Sequence, residues 1–423
     1  MYQLSPPVIC VFEQALEDEG SAARIEAMLA ALGRNLSSVE RVTDADIPDM
    51  IERHGWRDAR LRQGRHDEHT QPALVLTRHR GRAAPEVAPV LERCPPSSPS
   101  SLVGNLLGHG GTQLAGDRSN MGLVCRPRVQ FDSIYGCPHG CKYCQGGKVA
   151  VIFANVEEFV EREVIPYSAA NPWQKVFMFN SNLTDTLCFE PEYGLSELLA
   201  EYYASTPDQH YLIHTKSANV EFLRGVDHRG HTIVLWSLTS ETASRLVEPG
   251  SATMEERVEA ARNCQDAGYT VRYKFKPIVP VRGWREECER MVDLAFARTR
   301  PDNVGLYTLA WMNADEFGQI IDPSLLDPRF VAAAEESAEE MRGVSAGPFP
   351  HEARAEVYDF YLREIRRHDP EVPVFLCTET PKMWADFGPR LGLTAGDYAC
   401  GCGPQSPPGT RRLEHVGAPV EAA

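Results

Sequence analysis

The 423-residue chain reads as an α/β protein: a partial (βα)6 barrel, a small N-terminal α/β domain before it and a helical, cysteine-bearing C-terminal extension after it. Three observations predict this. Strand-like and helix-like stretches alternate six times between residues 128 and 309, the rhythm of a parallel sheet with right-handed crossovers. Six units are too few to close an eight-stranded barrel, so an open one is expected. A tight group of thiols, Cys137, Cys141 and Cys144, follows the first strand directly, at the strand end where such sheets carry their sites.

Residues 1–82 form the small domain. An apolar strand is expected at 7–12 and another at 72–77. Between them Ser21 can cap a helix with Ile25, Met28, Leu29 and Leu32 at helical spacing and Gly33 as its stop. The polar stretch 57–69 reads as a solvated loop, and Cys10 as a buried apolar side chain. Residues 83–124 are rich in Pro, Ser and Gly and read as a linker in which Cys94 is incidental. The glycines of 104–116 lack the Lys-Ser/Thr ending of a phosphate loop.

The barrel spans 125–312. Its strands are expected at 128–132, 175–180, 210–214, 232–237, 270–276 and 304–309, with helices at 156–164, 195–203, 219–223, 253–267 and 285–297. The extension, 313–405, carries helices at 328–342 and 351–367 and a short strand at 372–376. Cys264 and Cys288 fall within helices and read as core. Residues 406–423 are expected to be a disordered tail.

Composition narrows the class. A net charge of -16 speaks against a broad, sequence-independent grip on nucleic acid. No apolar run approaches membrane-spanning length, and residues 1–11 lack a signal peptide's basic start and long apolar stretch. The twelve cysteines cluster at 137–144 and 400–402, which points to metal rather than disulfides. A cytoplasmic, oxygen-sensitive enzyme is expected. Oligomeric state is not legible.

Thiolates spaced Cys-x3-Cys-x2-Cys suit an iron–sulfur cluster or zinc. A closed zinc site needs a fourth ligand, and His139 lies too close along the loop for an ordinary paired knuckle. Three thiolates around a four-iron cube leave one iron open to a cofactor. This spacing, with Tyr143 before the last cysteine, resembles the radical S-adenosylmethionine (SAM) superfamily. His214-Thr215-Lys216, Leu235-Trp236-Ser237, Glu248-Pro249-Gly250, Ala267-Gly268-Tyr269, Pro277-Ile278 and Gly283-Trp284 resemble, in order and spacing, its spore photoproduct lyase branch. The resemblance covers most of residues 7–312. It implies a 4Fe–4S cluster on Cys137, Cys141 and Cys144, SAM contacted by Lys216 and Ser237 with Tyr143 near the adenine, and a reducing partner such as flavodoxin or ferredoxin. The family repairs a thymine dimer in spore DNA by hydrogen abstraction with a 5′-deoxyadenosyl radical.

Three departures redirect the expected substrate. Leu183 stands where the lyases carry a hydrogen-donating cysteine, with Cys188 nearby but out of register, which speaks against dimer repair. Strand periodicity sends Arg272, Lys274 and Lys276 to one face, inward, where an anionic substrate would offset their burial. A salt-bridge network to inward acids such as Asp185 is the alternative. Cys377, Cys400 and Cys402 could hold a second, auxiliary 4Fe–4S cluster through three protein ligands, or form a zinc knuckle. His139 reads as a donor near the first cluster or a plain loop histidine, and Glu248 as a cap or a base. The expectation is a radical SAM enzyme acting on a small anionic substrate, nucleotide- or sugar-phosphate-like, with sulfur insertion from the second cluster within reach. That pattern resembles an antibiotic-pathway offshoot of the family, of the kind that makes the thiosugar nucleoside of albomycin. The alternatives are lesion repair and a non-catalytic iron–sulfur sensor or electron carrier.

Overall fold

Short runs of β-branched and aromatic residues build a five-stranded sheet, a six-stranded sheet and a two-stranded pair in the computed structural model, which describes residues 4–66, 71–181 and 183–414. The chain divides into two units, 1–113 with 130–171 and 179–199, and 114–129 with 172–178 and 200–423. Part of the loop read at 57–69 and the second half of the tail read at 406–423 lie outside the described residues.

The first unit holds five strands: β1 (Ile9–Phe12), β2 (Glu40–Val42), β3 (Ala73–Thr77), β4 (Ile134–Tyr135) and β5 (Val149–Phe153), in the order β2-β1-β3-β5-β4. All pairings are parallel except β4 with β5, where Ile134 faces Ile152 and Tyr135 faces Val151. The run Val-Ala-Val-Ile-Phe of β5 was not anticipated as a strand. It completes the N-terminal sheet and is wholly buried. Helix α1 (Glu19–Ala31) starts earlier than Ser21, because the Asp18 carboxylate accepts the Ser21 amide at 2.8 Å and serves as its cap. The stretch read as a linker carries α2 (Val87–Leu91) and α3 (Ser100–Leu106). Leu102, Val103, Leu106 and Leu107 recur at helical spacing and are buried against Cys10, Phe12 and Val75. Its prolines flank these helices or occupy a first turn, where a missing amide costs little.

The second unit is a curled, parallel half-barrel sheet of six strands: β6 (Val176–Met178), β7 (His210–Thr215), β8 (Thr232–Leu238), β9 (Thr270–Ile278), β10 (Val304–Thr308) and β11 (Val374–Leu376), in the order β11-β10-β9-β8-β7-β6. Five are the expected strands. The sixth place is taken by β11 from the extension, which pairs with β10 from Val304↔Val374 to Leu306↔Leu376. The strand Arg128–Asp132 forms as expected but meets the next expected strand only through a Phe131–Phe179 bridge. Helix α4 (Met254–Asp266) opens with a Thr253/Glu256 capping box, and α5 (Trp284–Arg298) packs on α6 (His351–His368). Phe275 on the outer face of β9 meets Tyr361 of α6 edge to face, which leaves Arg272, Lys274 and Lys276 on the opposite face. Among the described residues no helix is long and apolar enough to cross a membrane.

Candidate metal centres

The first centre lies in the first unit and is the connection between β4 and β5. Antiparallel pairing of those strands pins both ends of the loop that carries Cys137, Cys141 and Cys144. Asn180, at φ 48°, folds back so that its Oδ1 accepts the amides of Ser133 and Ile134 at 2.6 and 3.0 Å, which fixes the entry. Gly136 is needed at φ 111°, since a Cβ there would sit 2.1 Å from the Val149 carbonyl. Within the loop the Cys137 amide donates to Gly146 O at 2.7 Å and the Cys144 amide to Cys141 O at 2.8 Å. From outside, Gln63 N donates to Cys144 O, Gly64 N to Lys142 O and Arg62 Nη1 to Tyr143 O. The backbone is thus held from several sides, with Cys137 and Cys141 buried and Cys144 partly open. Clustered thiols on so constrained a loop fit a 4Fe–4S cluster.

Buried His139 donates from Nε2 to Asp185 Oδ2 at 2.9 Å and lies 3.5 Å from Cys188 Sγ. The ligand atoms of Cys137, His139 and Cys188 all fall within 4.8 Å of one another. Burial opposes ionisation of Cys137, but Cys188 and His139 outweigh it and hold this thiol below the ordinary range. His139 is therefore more than a plain loop residue, and Cys188 is drawn in although it is out of register in sequence. Leu183 stands at φ 63° with its carbonyl against Gly146, where a Cβ on the glycine would approach to 2.4 Å.

In the second unit, Lys216 follows β7 and Ser237 lies on β8, as the barrel reading requires. Glu248 joins them and is neither cap nor free base. Its fully buried carboxylate accepts Lys216 Nζ at 2.6 Å and Arg257 Nη2 at 2.7 Å. Arg257 also donates to Ser237 O at 2.8 Å. Ser237 Oγ is 2.9 Å from His214 Nε2. A paired, desolvated carboxylate thus sets the Lys216 ammonium at the strand ends.

The second thiol centre sits at those strand ends too, within the same unit. Cys400 and Cys402 have their sulfurs 3.8 Å apart, and Lys274 Nζ donates to Cys402 Sγ at 2.9 Å. Cys377 follows β11, its amide donating to Leu306 O at 2.8 Å. A bond from Cys400 and the Lys274 ammonium hold Cys402 well below the usual thiol range.

Two expectations change here. Arg272 does not face a substrate: Nε donates to Asp302 Oδ2 at 2.6 Å, Nη1 to Gly401 O at 2.9 Å and Nη2 to Ser406 O at 2.7 Å. It staples the Cys400–Cys402 loop to β9. The anticipated acid, Asp185, serves His139 instead, and Asp302 takes its place. Lys274 meets a thiol rather than a substrate anion, while Lys276 Nζ lies 4.5 Å over the Tyr307 ring. Sequence reasoning also missed Cys125. Its neighbours in the chain bond to Glu379 and Tyr398, but a single cysteine far from the others gave no signal. Cys10, Cys264 and Cys288 are buried, as expected of core residues, and burial pushes the Cys10 and Cys264 thiols up to about 12.

Residues 133–304 match the family model for spore photoproduct lyase. The spore photoproduct lyase of Clostridium acetobutylicum is 24% identical over 180 residues, which cover 41% of this chain and 53% of that protein. That of Bacillus subtilis is 24% identical over 192 residues, 40% of this chain and 54% of its own. The chain spans about half the length of the curated relatives it matches. A solved spore photoproduct lyase complexed with dinucleoside spore photoproduct aligns over 88% of this chain and 98% of its own, with 15% identity and a TM-score of 0.58. A mutant with bound AdoMet and the same dinucleoside aligns over the same shares with 14% identity and a TM-score of 0.57. At that identity the solved structures speak for the fold alone: the chain shares the curled half-barrel of those structures, and its residues 133–304 are similar to the spore photoproduct lyase family.

Proposed function

We propose that this chain is a radical SAM enzyme. The observation that carries the reading is the clamped loop of Cys137, Cys141 and Cys144 in a chain similar to the spore photoproduct lyases. A 4Fe–4S cluster on those thiols, charged by a flavodoxin- or ferredoxin-like donor, would supply with SAM the 5′-deoxyadenosyl radical that abstracts hydrogen. The protein's part is position. Lys216, held by Glu248, and Ser237 would contact SAM when it is bound, and Tyr143 is the residue the resemblance assigns to its adenine. His139, backed by Asp185, stands beside Cys137 and keeps that sulfur oriented.

Cleavage of a pyrimidine photoproduct is the substrate reading the comparisons favour, because the named relatives are spore photoproduct lyases and three of the solved ones hold the dinucleoside. A second reading has specific support: Leu183 at the hydrogen-donor position, and the C-terminal thiols gathered around Lys274. In it a small anionic nucleotide- or sugar-phosphate-like molecule is modified in natural-product biosynthesis, with an auxiliary 4Fe–4S cluster on Cys377, Cys400 and Cys402 available for sulfur insertion. Reconstituted anaerobic protein given dithionite and SAM is expected to release 5′-deoxyadenosine. No release, with the cluster present, overturns the enzyme reading. Dinucleoside spore photoproduct then separates the two substrates: conversion to thymine-containing product supports repair, and inert dinucleoside with continued SAM cleavage supports the second.

A further inference from the structure

The segments that carry the C-terminal thiols also hold Cys125, from both sides. Val124 pairs antiparallel with Glu379, its amide donating to Glu379 O at 2.7 Å, and Glu379 lies two residues beyond Cys377. Arg126 stacks 4.1 Å over the Tyr398 ring and donates Nη2 to Tyr398 O at 3.2 Å, two residues before Cys400. The residue between these two anchors is held at the junction of the segments that carry the other thiols. Arg128, three residues beyond Cys125, is buried.

We propose that Cys125, Cys377, Cys400 and Cys402 ligate one iron–sulfur cluster in which every iron has a protein thiolate. The inference rests on the auxiliary-cluster reading above and narrows it, because a closed cluster offers no iron to a substrate. It also fits the charges around the site. Four thiolates make a cluster anionic, and Lys274 and Arg128 are the buried cations that offset it. With the thiols supplying all ligands, the role left to the centre is electron exchange, and giving up sulfur would first require release of a thiolate.

The test uses the full chain with Cys137→Ala/Cys141→Ala/Cys144→Ala, so that any remaining metal belongs to this centre. About four irons and four sulfides per chain are expected, with an electron paramagnetic resonance spectrum of the reduced protein that added cyanide does not change. Adding Cys125→Ala is expected to free one iron, so that cyanide then shifts the spectrum or about one iron is lost. A cyanide-sensitive spectrum while Cys125 is present means three ligands and overturns the inference, even if Cys125→Ala fails to fold. Absence of iron, or zinc in its place, overturns the auxiliary-cluster reading itself.

Discussion

The two thiol centres are built by opposite means. Cys137, Cys141 and Cys144 lie on one short loop whose ends a strand pair holds together, so the three thiols share one segment of chain, which residues 62–64 and Asn180 only clasp from outside. Cys377, Cys400 and Cys402, with Cys125, come from distant segments and meet only when β9, β10, β11 and the chain beyond them are in place. Their surroundings differ in charge as well. The first has the buried Asp185 carboxylate behind its histidine, and the second has Lys274 and Arg128 against its sulfurs. A site made locally should survive damage to the fold that empties a site made by tertiary structure.

The largest effect tests independence. Replacing Cys137, Cys141 and Cys144 with alanine is expected to reduce SAM cleavage to background while the C-terminal centre keeps its metal. Iron analysis beside 5′-deoxyadenosine release checks both halves. Loss of metal from both centres would show that the contrast is false.

The reverse experiment breaks the fold under the second centre. Arg354 forks onto Glu379, Nε to Oε2 at 3.0 Å and Nη2 to Oε1 at 3.1 Å, and Tyr358 adds a bond at 2.9 Å, all buried. This holds the turn in which Thr378, at φ 53°, follows Cys377. Arg354→Met leaves a carboxylate buried without its cation and is expected to cost about 3–5 kcal/mol. Urea unfolding measures that loss. Metal analysis is expected to find the C-terminal centre depleted and the loop centre filled.

The same difference decides what was legible. The loop thiols were readable because their ligand pattern is a matter of spacing. Five of the six barrel strands were readable because alternation of strand and helix is periodic. Beyond that, periodicity places a side chain on a face but does not say what waits there. It put Arg272, Lys274 and Lys276 inward, and could not supply Asp302, Gly401 O or Cys402 as their partners. Nor could it decide that β11 would take the sixth place in the sheet, or that Cys125 would be carried to the other thiols, since both depend on pairings between distant residues.

A smaller effect sharpens the picture of the loop centre. Asp185→Asn keeps the shape but removes the charge that faces His139 at 2.9 Å. Groups that orient a metal site from behind typically contribute 10- to 100-fold in metal affinity, and a loss of about that size is expected in cluster retention against a chelator. SAM cleavage by the protein that remains loaded is expected to persist, and its disappearance would instead place Asp185 in contact with the chemistry.

The smallest effect reads the positive field at the second centre through His214. Burial first, then Lys274, Lys276 and Lys216, hold the pKa of this imidazole well below its usual value. The native state therefore resists a proton that the unfolded chain accepts near pH ~6.5. Between the two pKa values the unfolded state binds more protons, so this histidine makes stability fall as pH is lowered from about 6.5. Above that pH neither state is protonated and the dependence vanishes. Lys274→Met removes the strongest of the three lysine contributions and is expected to move the His214 titration up toward the ordinary range, flattening the acid-side decline. Ring resonances of the demetallated protein, followed from pH 8 to 5 in wild type and variant, measure the shift directly (about pH 6.5 is the reference midpoint). An unchanged His214 titration would mean that burial alone sets its pKa, and that the charge contrast between the two centres does not extend as far as β7.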